Sequence, residues 1–443
     1  MARSVPRIVT PLPGPKAQAW LARDRQVMAP YNRPFYYPLV VAGGEGAVVR
    51  DVDGNELIDW NSGLGVLNVG QAHPRVAAAI ASKARDFLSY SYTDFASTEP
   101  VELAERLNTI LPMECKFFMA SGGTEANEAA LKIARHHKKR QLFLGFINSF
   151  HGRTAGTMAF SSTSPEQRRG FHPVMPGVTL APYPYCYRCP FRLEYPGCDL
   201  WCVDFIEQWV LGKYVPPDEV AAILVEPIAG EAGYVVPPPE FFPRLKKLAD
   251  KHGILLIVDE VQTGCGRTGK FLAIEHFGIV PDIVTLGKGI AGGIPLSIAA
   301  PRREVMDLPA GAHCTTTGGN PVAAAAAQAF LDVLFEERLM QRATELGDHV
   351  MMRLKAMQQE HEIIGDVRGK GLAICFELVK DRQTKEPLNG KDFVGRLFRK
   401  GVAAVTGGSG VRVFPPLVIE KEMLDTSLEI LESTIVEVER ERR

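Results

Sequence analysis

Between residues 141 and 300 the chain alternates short apolar runs with longer stretches of helical character. The runs at 142–147, 221–225, 254–258, 283–286 and 296–300 are almost continuously apolar. They lack the in-and-out alternation of a strand that faces water on one side. Strands of this kind are buried on both faces, and helices between them act as crossovers. The pattern therefore predicts an α/β fold with a mainly parallel sheet flanked by helices.

Outside that block the pattern changes. Residues 1 to about 35 are broken by prolines, with one helical patch over 16–27. FYYPLVVAGGEGAVVRDVDGNELID then interrupts its apolar runs at Gly43-Gly44 and Asp53-Gly54, which reads as antiparallel hairpin strands. His73-Pro74 opens a helix to about Phe87, and Thr98 is a candidate N-cap for the next. CKFFMASGGTEANEAALKIARHH gives a short strand, a glycine turn and a long amphipathic helix. After Asn320-Pro321 an alanine-rich helix leads into a region where helices alternate with strands at 372–378 and 411–414. The expected organisation is a large domain over 66–330 and a smaller α+β domain. Residues 331–443 build the smaller domain, with part of the N-terminal segment 1–65.

A chain of 443 residues is long enough for such a pair of cores. Its 46% hydrophobic and 23% charged residues are those of an ordinary soluble globular protein. Fifty basic and 51 acidic side chains leave a net charge of -1, which gives no electrostatic case for nucleic acid or an anionic membrane. No apolar run approaches the ~20 residues of a membrane span. The proline-broken N-terminus lacks the apolar segment of a signal peptide, so the cytoplasm is the expected location.

Chemistry concentrates in 253–296, where an apolar run ends in Asp259 and a second is followed by Lys288 among glycines. A lysine so placed can form an imine with an aldehyde cofactor, and an aspartate on the neighbouring strand can hold that cofactor's ring nitrogen protonated. This pairing suits pyridoxal 5'-phosphate (PLP). Between them GCGRTGK imitates two nucleotide motifs and satisfies neither. Phe271 stands where a P-loop needs Ser or Thr, and five residues, Asp259-Glu260-Val261-Gln262-Thr263, intervene between the apolar run and the first glycine, too many for a Rossmann turn.

Other loops add candidates. SGGTEANEAALK sets small residues at a strand-to-helix junction, where Gly122, Gly123 and Thr124 can offer N–H groups to a phosphate. In NSFHGRTAGT, Phe150 can stack on a flat ring and His151 can support it. EPIAGEAG puts Glu226 and Glu231 after a strand, at the end of a parallel sheet where ligands bind. Arg412, in GVRVFPPL, can clamp a carboxylate. Cys186, Cys189, Cys198 and Cys202 follow a C-x2-C-x8-C-x3-C spacing, which leaves a structural zinc or iron–sulfur site, disulfides and free thiols all open.

Taken together, SGGTEANEAALK, FHGRT, EPIAGEAG, VDEVQTGCGRTGKF, PDIVTLGKGIAGGIPL, TTTGGNP and VRVFPPL resemble the class III aminotransferases, in that family's order and over nearly the whole chain. Within the family the chain looks most like 4-aminobutyrate (ω-amino acid) aminotransferases. The resemblance implies a fold-type I PLP enzyme, a homodimer or higher homo-oligomer with sites at the subunit interface. It makes Lys288 the imine-forming lysine and proton shuttle, Asp259 the partner of the ring nitrogen and Gln262 that of the ring hydroxyl. Val261 and Phe150 would sandwich the ring, and Gly123 and Thr124 would cup the phosphate. Thr316 would come from the neighbouring subunit. Arg412 would bind an α-carboxylate, Glu231 would neutralise that arginine for ω-amino substrates, and Arg153 would meet a distal carboxylate.

The activity so implied is ping-pong transamination between 4-aminobutyrate or another ω-amino acid and a 2-oxo acid such as 2-oxoglutarate or pyruvate. An amino-acid racemase or epimerase, or an ornithine or acetylornithine aminotransferase, is the alternative. The cysteine-bearing loop is absent from many members and weakens any simple transfer of substrate.

Overall fold

A computed structural model of the chain describes residues 5–30 and 36–442. Residues 1–4, 31–35 and 443 lie outside it, and with them part of the expected N-terminal segment and the Phe35 end of the first apolar run. After a helix at Pro15–Val27, β1 (Val41–Glu45), β2 (Val48–Asp51) and β3 (Glu56–Asp59) pair antiparallel in sequence order. Gly54, at φ 93°, makes the turn between β2 and β3 that Asp53-Gly54 predicts.

Seven strands form the central sheet. They are β4 (Phe118–Ala120), β5 (Leu142–Ile147), β6 (Val178–Pro182), β7 (Val220–Val225), β8 (Leu255–Asp259), β9 (Ile283–Leu286) and β10 (Ser297–Pro301), in the order β4-β10-β9-β8-β7-β5-β6. Strands β9, β8, β7, β5 and β6 are parallel neighbours, as the apolar runs predict. Strand β10 runs antiparallel to both β9 and β4, because residues 287–296 are too few for a crossover. Ile223, Leu224, Ile257 and Val258 are buried, so truncating one such as Ile257 to alanine costs about 2–5 kcal/mol.

Beyond a helix at Pro321–Glu336 lie β11 (Ile364–Lys370), β12 (Ala373–Asp381), β13 (Glu386–Pro387), β14 (Val402–Ala403), β15 (Val405–Gly407) and β16 (Gly410–Val413). β14 pairs in parallel with β3, joining residues far apart in sequence into one sheet. Helices Leu339–Glu360 and Lys421–Arg442 cover this region. Thr98 is the first residue of its helix instead of its cap, a place taken by Ser97.

The glycine-rich loop after β8 is structural. Arg267 is 1% exposed and donates to the Pro415 and Leu372 carbonyls, Ser62 Oγ and Asn68 Oδ1. The loop's one guanidinium is thereby committed to holding neighbouring segments together. All eight cysteines are free thiols. Cys186, Cys189, Cys198 and Cys202 line one small apolar cavity of about 20 Å³, walled by aromatic and proline side chains. No three of their sulfurs come within 4.8 Å of one another. Burial, reinforced by the neighbouring thiols, raises Cys186 to about 11 and Cys202 to about 12. Among the described residues no helix is long and apolar enough to cross a membrane.

Candidate functional site

The carboxyl ends of β4, β5, β7, β8 and β9 open on one side of the sheet, and each sends a loop there. Asp259 ends β8. Its Oδ2 accepts from His151 Nδ1 at 2.7 Å and Asn127 Nδ2 at 2.8 Å, and its Oδ1 accepts from Val261 N at 3.0 Å. Thr285 Oγ1, on β9, donates to Asn127 Oδ1 at 2.7 Å, and Asn127 Nδ2 also donates to the His151 carbonyl. A carboxylate held by this many donors keeps its aim. Sequence reasoning missed Asn127 and Thr285. Both lie inside quoted motifs, and only the pairing of β8 with β9 against the helix Gly123–Lys138 brings them to Asp259.

Asp259, Asn127, Gly123, Thr124, Phe150, His151, Glu226, Glu231, Val261, Gln262 and Lys288 line one cavity of about 220 Å³. Val261 presses against Gly123 so closely that a Cβ there would stand 2.6 Å from Val261 Cγ1. Gly123 and Thr124 open the helix Gly123–Lys138, and their N–H groups have no acceptor among the described residues. Gly122 differs from expectation. Its N–H and that of Ser121 are both taken by Glu125 Oε2, at 2.8 and 2.7 Å, so Gly122 caps the helix and stays out of the cavity lining. Thr316 is exposed and lines neither cavity of its own chain.

Glu226 Oε1 accepts from Phe150 N and Oε2 from Gly230 N, each at 2.9 Å. Burial raises its carboxyl to about 7, with His151 opposing the rise and Asp259 adding to it. Lys288, just after β9, is in the left-handed region at φ 43° and lines this cavity and a larger one of about 390 Å³. Burial lowers its ammonium, against the pull of Glu231 and Asp259.

The larger cavity adds Arg412 and Arg153 to a wall that includes Leu21, Tyr36, Tyr37, Leu39, Leu64 and Val405. Arg412 donates to Glu231 Oε2 at 3.0 Å and to the Thr406 carbonyl. Burial pushes the Glu231 carboxyl up, but Arg412 and then Lys288 outweigh it and hold it below the ordinary range. Arg153 is exposed, with its guanidinium 5.8 Å over the Phe150 ring.

A flat aldehyde carrying a phosphate and a ring hydroxyl suits the smaller cavity. Two unfilled first-turn N–H groups stand ready for phosphate, and Gln262 Oε1 is buried without a partner. Asp259 faces inward, Phe150 and Val261 supply apolar contact, and the Lys288 amine is close by.

The model of the family described as class III aminotransferase matches residues 28–435. A leucine/methionine racemase of Thermococcus litoralis is 42% identical over 95% of this chain and 97% of its own length. A 4-aminobutyrate aminotransferase of Mycobacterium leprae is 36% identical over 96% of this chain and 97% of its own. Among solved structures, an amine transaminase from an uncultivated Pseudomonas species, in its PLP-bound form, superposes with a TM-score of 0.87. It is 30% identical and covers 93% of this chain and 97% of that one.

Proposed function

The chain belongs to the class III aminotransferases, with the fold-type I architecture and PLP as cofactor, and from that premise we propose that it racemises or epimerises neutral α-amino acids. The observation that carries this reading is the larger cavity. It joins one buried guanidinium, Arg412, to a side-chain wall built from aliphatic and aromatic groups. An α-carboxylate suits the guanidinium, and an apolar side chain suits the wall. The similarity to a leucine/methionine racemase supports the same reading.

When bound, PLP supplies an electron sink that acidifies the hydrogen on the amino acid's α-carbon. The chain's own groups do the rest. Asp259, braced by His151 and Asn127, would present its carboxylate to the ring nitrogen. Gly123 and Thr124 offer N–H groups to the phosphate, Gln262 offers its side chain to the ring hydroxyl, and Phe150 and Val261 hold the ring between them. Lys288, whose ammonium burial depresses, is the base that takes the α-proton. Inversion would require solvent to supply a proton to the opposite face of the α-carbon, while Lys288 releases to solvent the proton it took. Arg412 keeps the carboxylate fixed throughout.

A second reading, transamination of 4-aminobutyrate or another ω-amino acid with a 2-oxo acid, is favoured by Arg153 at the cavity mouth and by the Glu231–Arg412 pair, which can mask the α-carboxylate site. Incubating L-leucine with holoenzyme and no 2-oxo acid separates the two. Loss of optical rotation with the amino acid conserved supports racemisation, whereas unchanged L-leucine, with turnover only when 2-oxoglutarate and 4-aminobutyrate are supplied, overturns it.

We also propose a homodimer. Thr316 is exposed, and Phe87, Leu88, Tyr90 and Phe95 expose apolar surface on one short segment.

A further inference from the structure

Four consecutive residues, Ser62, Gly63, Leu64 and Gly65, hold φ angles of 49°, 60°, 66° and 83°. Glycine enters that region freely, but serine and leucine enter it against their own preference, so the surroundings must hold them there. The turn stands against the site. A Cβ on Gly65 would be 3.7 Å from Lys288 Cδ and 3.8 Å from Gln262 Cγ, and Leu64 lines the larger cavity.

What fastens the turn is buried beneath it. Asp59, at the end of β3 and 2% exposed, accepts the N–H of Asn61 at 2.8 Å and that of Ser62 at 2.9 Å on a single oxygen, Oδ1. Asn61 Oδ1 then accepts from Leu64 N at 3.2 Å, and its Nδ2 donates to the Ala403 carbonyl. Ser62 Oγ donates to the Phe414 carbonyl at 2.7 Å. Arg267 Nη2 also donates to Ser62 Oγ, at 3.2 Å, and Asp59 fixes the backbone of Asn61 and Ser62 from which these side chains project.

We propose that Asp59 is a positioning residue for the reaction. Its carboxylate clamps a strained turn whose Leu64 and Gly65 wall the space beside Lys288, and so sets the room open to the substrate's side chain. Asp59 lines neither cavity, and the hydrogen bonds its Oδ1 accepts both come from the backbone of the turn. The inference rests on the proposed reading of this pocket as the reaction site.

The test compares wild-type holoenzyme with Asp59→Ala and with Asp59→Asn, which keeps an acceptor oxygen and serves if the alanine variant does not fold. Amide hydrogen exchange of Asn61 and Ser62 should quicken about tenfold or more in Asp59→Ala, and less in Asp59→Asn, while the central sheet is unchanged. KM for L-leucine should rise about tenfold with kcat within about threefold of wild type. Unchanged exchange at Asn61 and Ser62 overturns the clamp. Faster exchange with unchanged KM overturns the link to the substrate. Wild-type enzyme that turns over no neutral amino acid sinks the functional reading instead, and the exchange rates then judge Asp59 alone.

Discussion

Arg412 Nη1 stands 3.0 Å from Glu231 Oε2, and Arg412 is 1% exposed. A substrate carboxylate reaching that guanidinium must share it with a carboxylate already in place. Glu231→Gln removes the competitor and should tighten binding of carboxylate ligands such as L-leucine about tenfold, which is about 1.4 kcal/mol. Spectral titration of the bound cofactor measures it, and weaker binding would show that Glu231 orients Arg412 more than it opposes the ligand.

Lys288 carries the proton transfer in either reading of the function. Lys288→Ala should abolish both racemisation and exchange of the α-hydrogen for deuterium, followed by NMR. Asp259→Asn should fold and still lose most of the rate, about 10²-fold or more, because His151 and Asn127 would then hold a neutral group toward the ring. An undiminished rate in either variant would remove that residue from its role.

Glu226 gives a pH dependence with a definite sign. Its folded carboxyl is raised to about 7 from an ordinary 4.5, so the folded state holds the proton more tightly than the unfolded chain does. Its contribution to stability is fully present below the unfolded value and is lost as pH rises through about 7. Urea unfolding of apoenzyme at several pH values, wild type against Glu226→Gln, should show the difference between them fall by about 3 kcal/mol across that window. A difference independent of pH would refute it.

The close approach of Gly123 to Val261 leaves no room for a methyl group. Gly123→Ala should weaken PLP binding about tenfold or more, read from cofactor titration, because Val261 must move from the ring face. Unaltered affinity would place the phosphate elsewhere.

Arg153 tests the choice between substrates. Arg153→Ala should leave KM for L-leucine within about threefold and, if 4-aminobutyrate is a substrate at all, raise its KM about tenfold or more. A large loss for leucine would draw Arg153 into α-carboxylate recognition.

The sheet was legible because strands buried on both faces must be apolar throughout, and β5 and β9 fall where those runs stand. Asp259, Lys288, Phe150, His151 and Glu226 were legible because each follows such a run, at the end where a parallel sheet collects its ligands. β6 was missed because VTLAP sits in PGVTLAPYP, where prolines and a glycine on both sides read as loop. The antiparallel direction of β10 was missed because direction is set by the length of a connection, which periodicity does not record.

The site's supports were beyond the sequence. Asn127 and Thr285 look like ordinary helix and strand residues until pairing brings them to Asp259. Gly122 looked like a phosphate contact until Glu125 took its N–H, since a capping carboxylate and a phosphate compete for the same donors. By itself the sequence determined which residues could do the chemistry, because side-chain type and position after a strand are local properties. Only the tertiary structure decided which groups hold them, how the Ser62–Gly65 turn stands beside Lys288, and where Arg412 meets Glu231, because those contacts join segments more than a hundred residues apart.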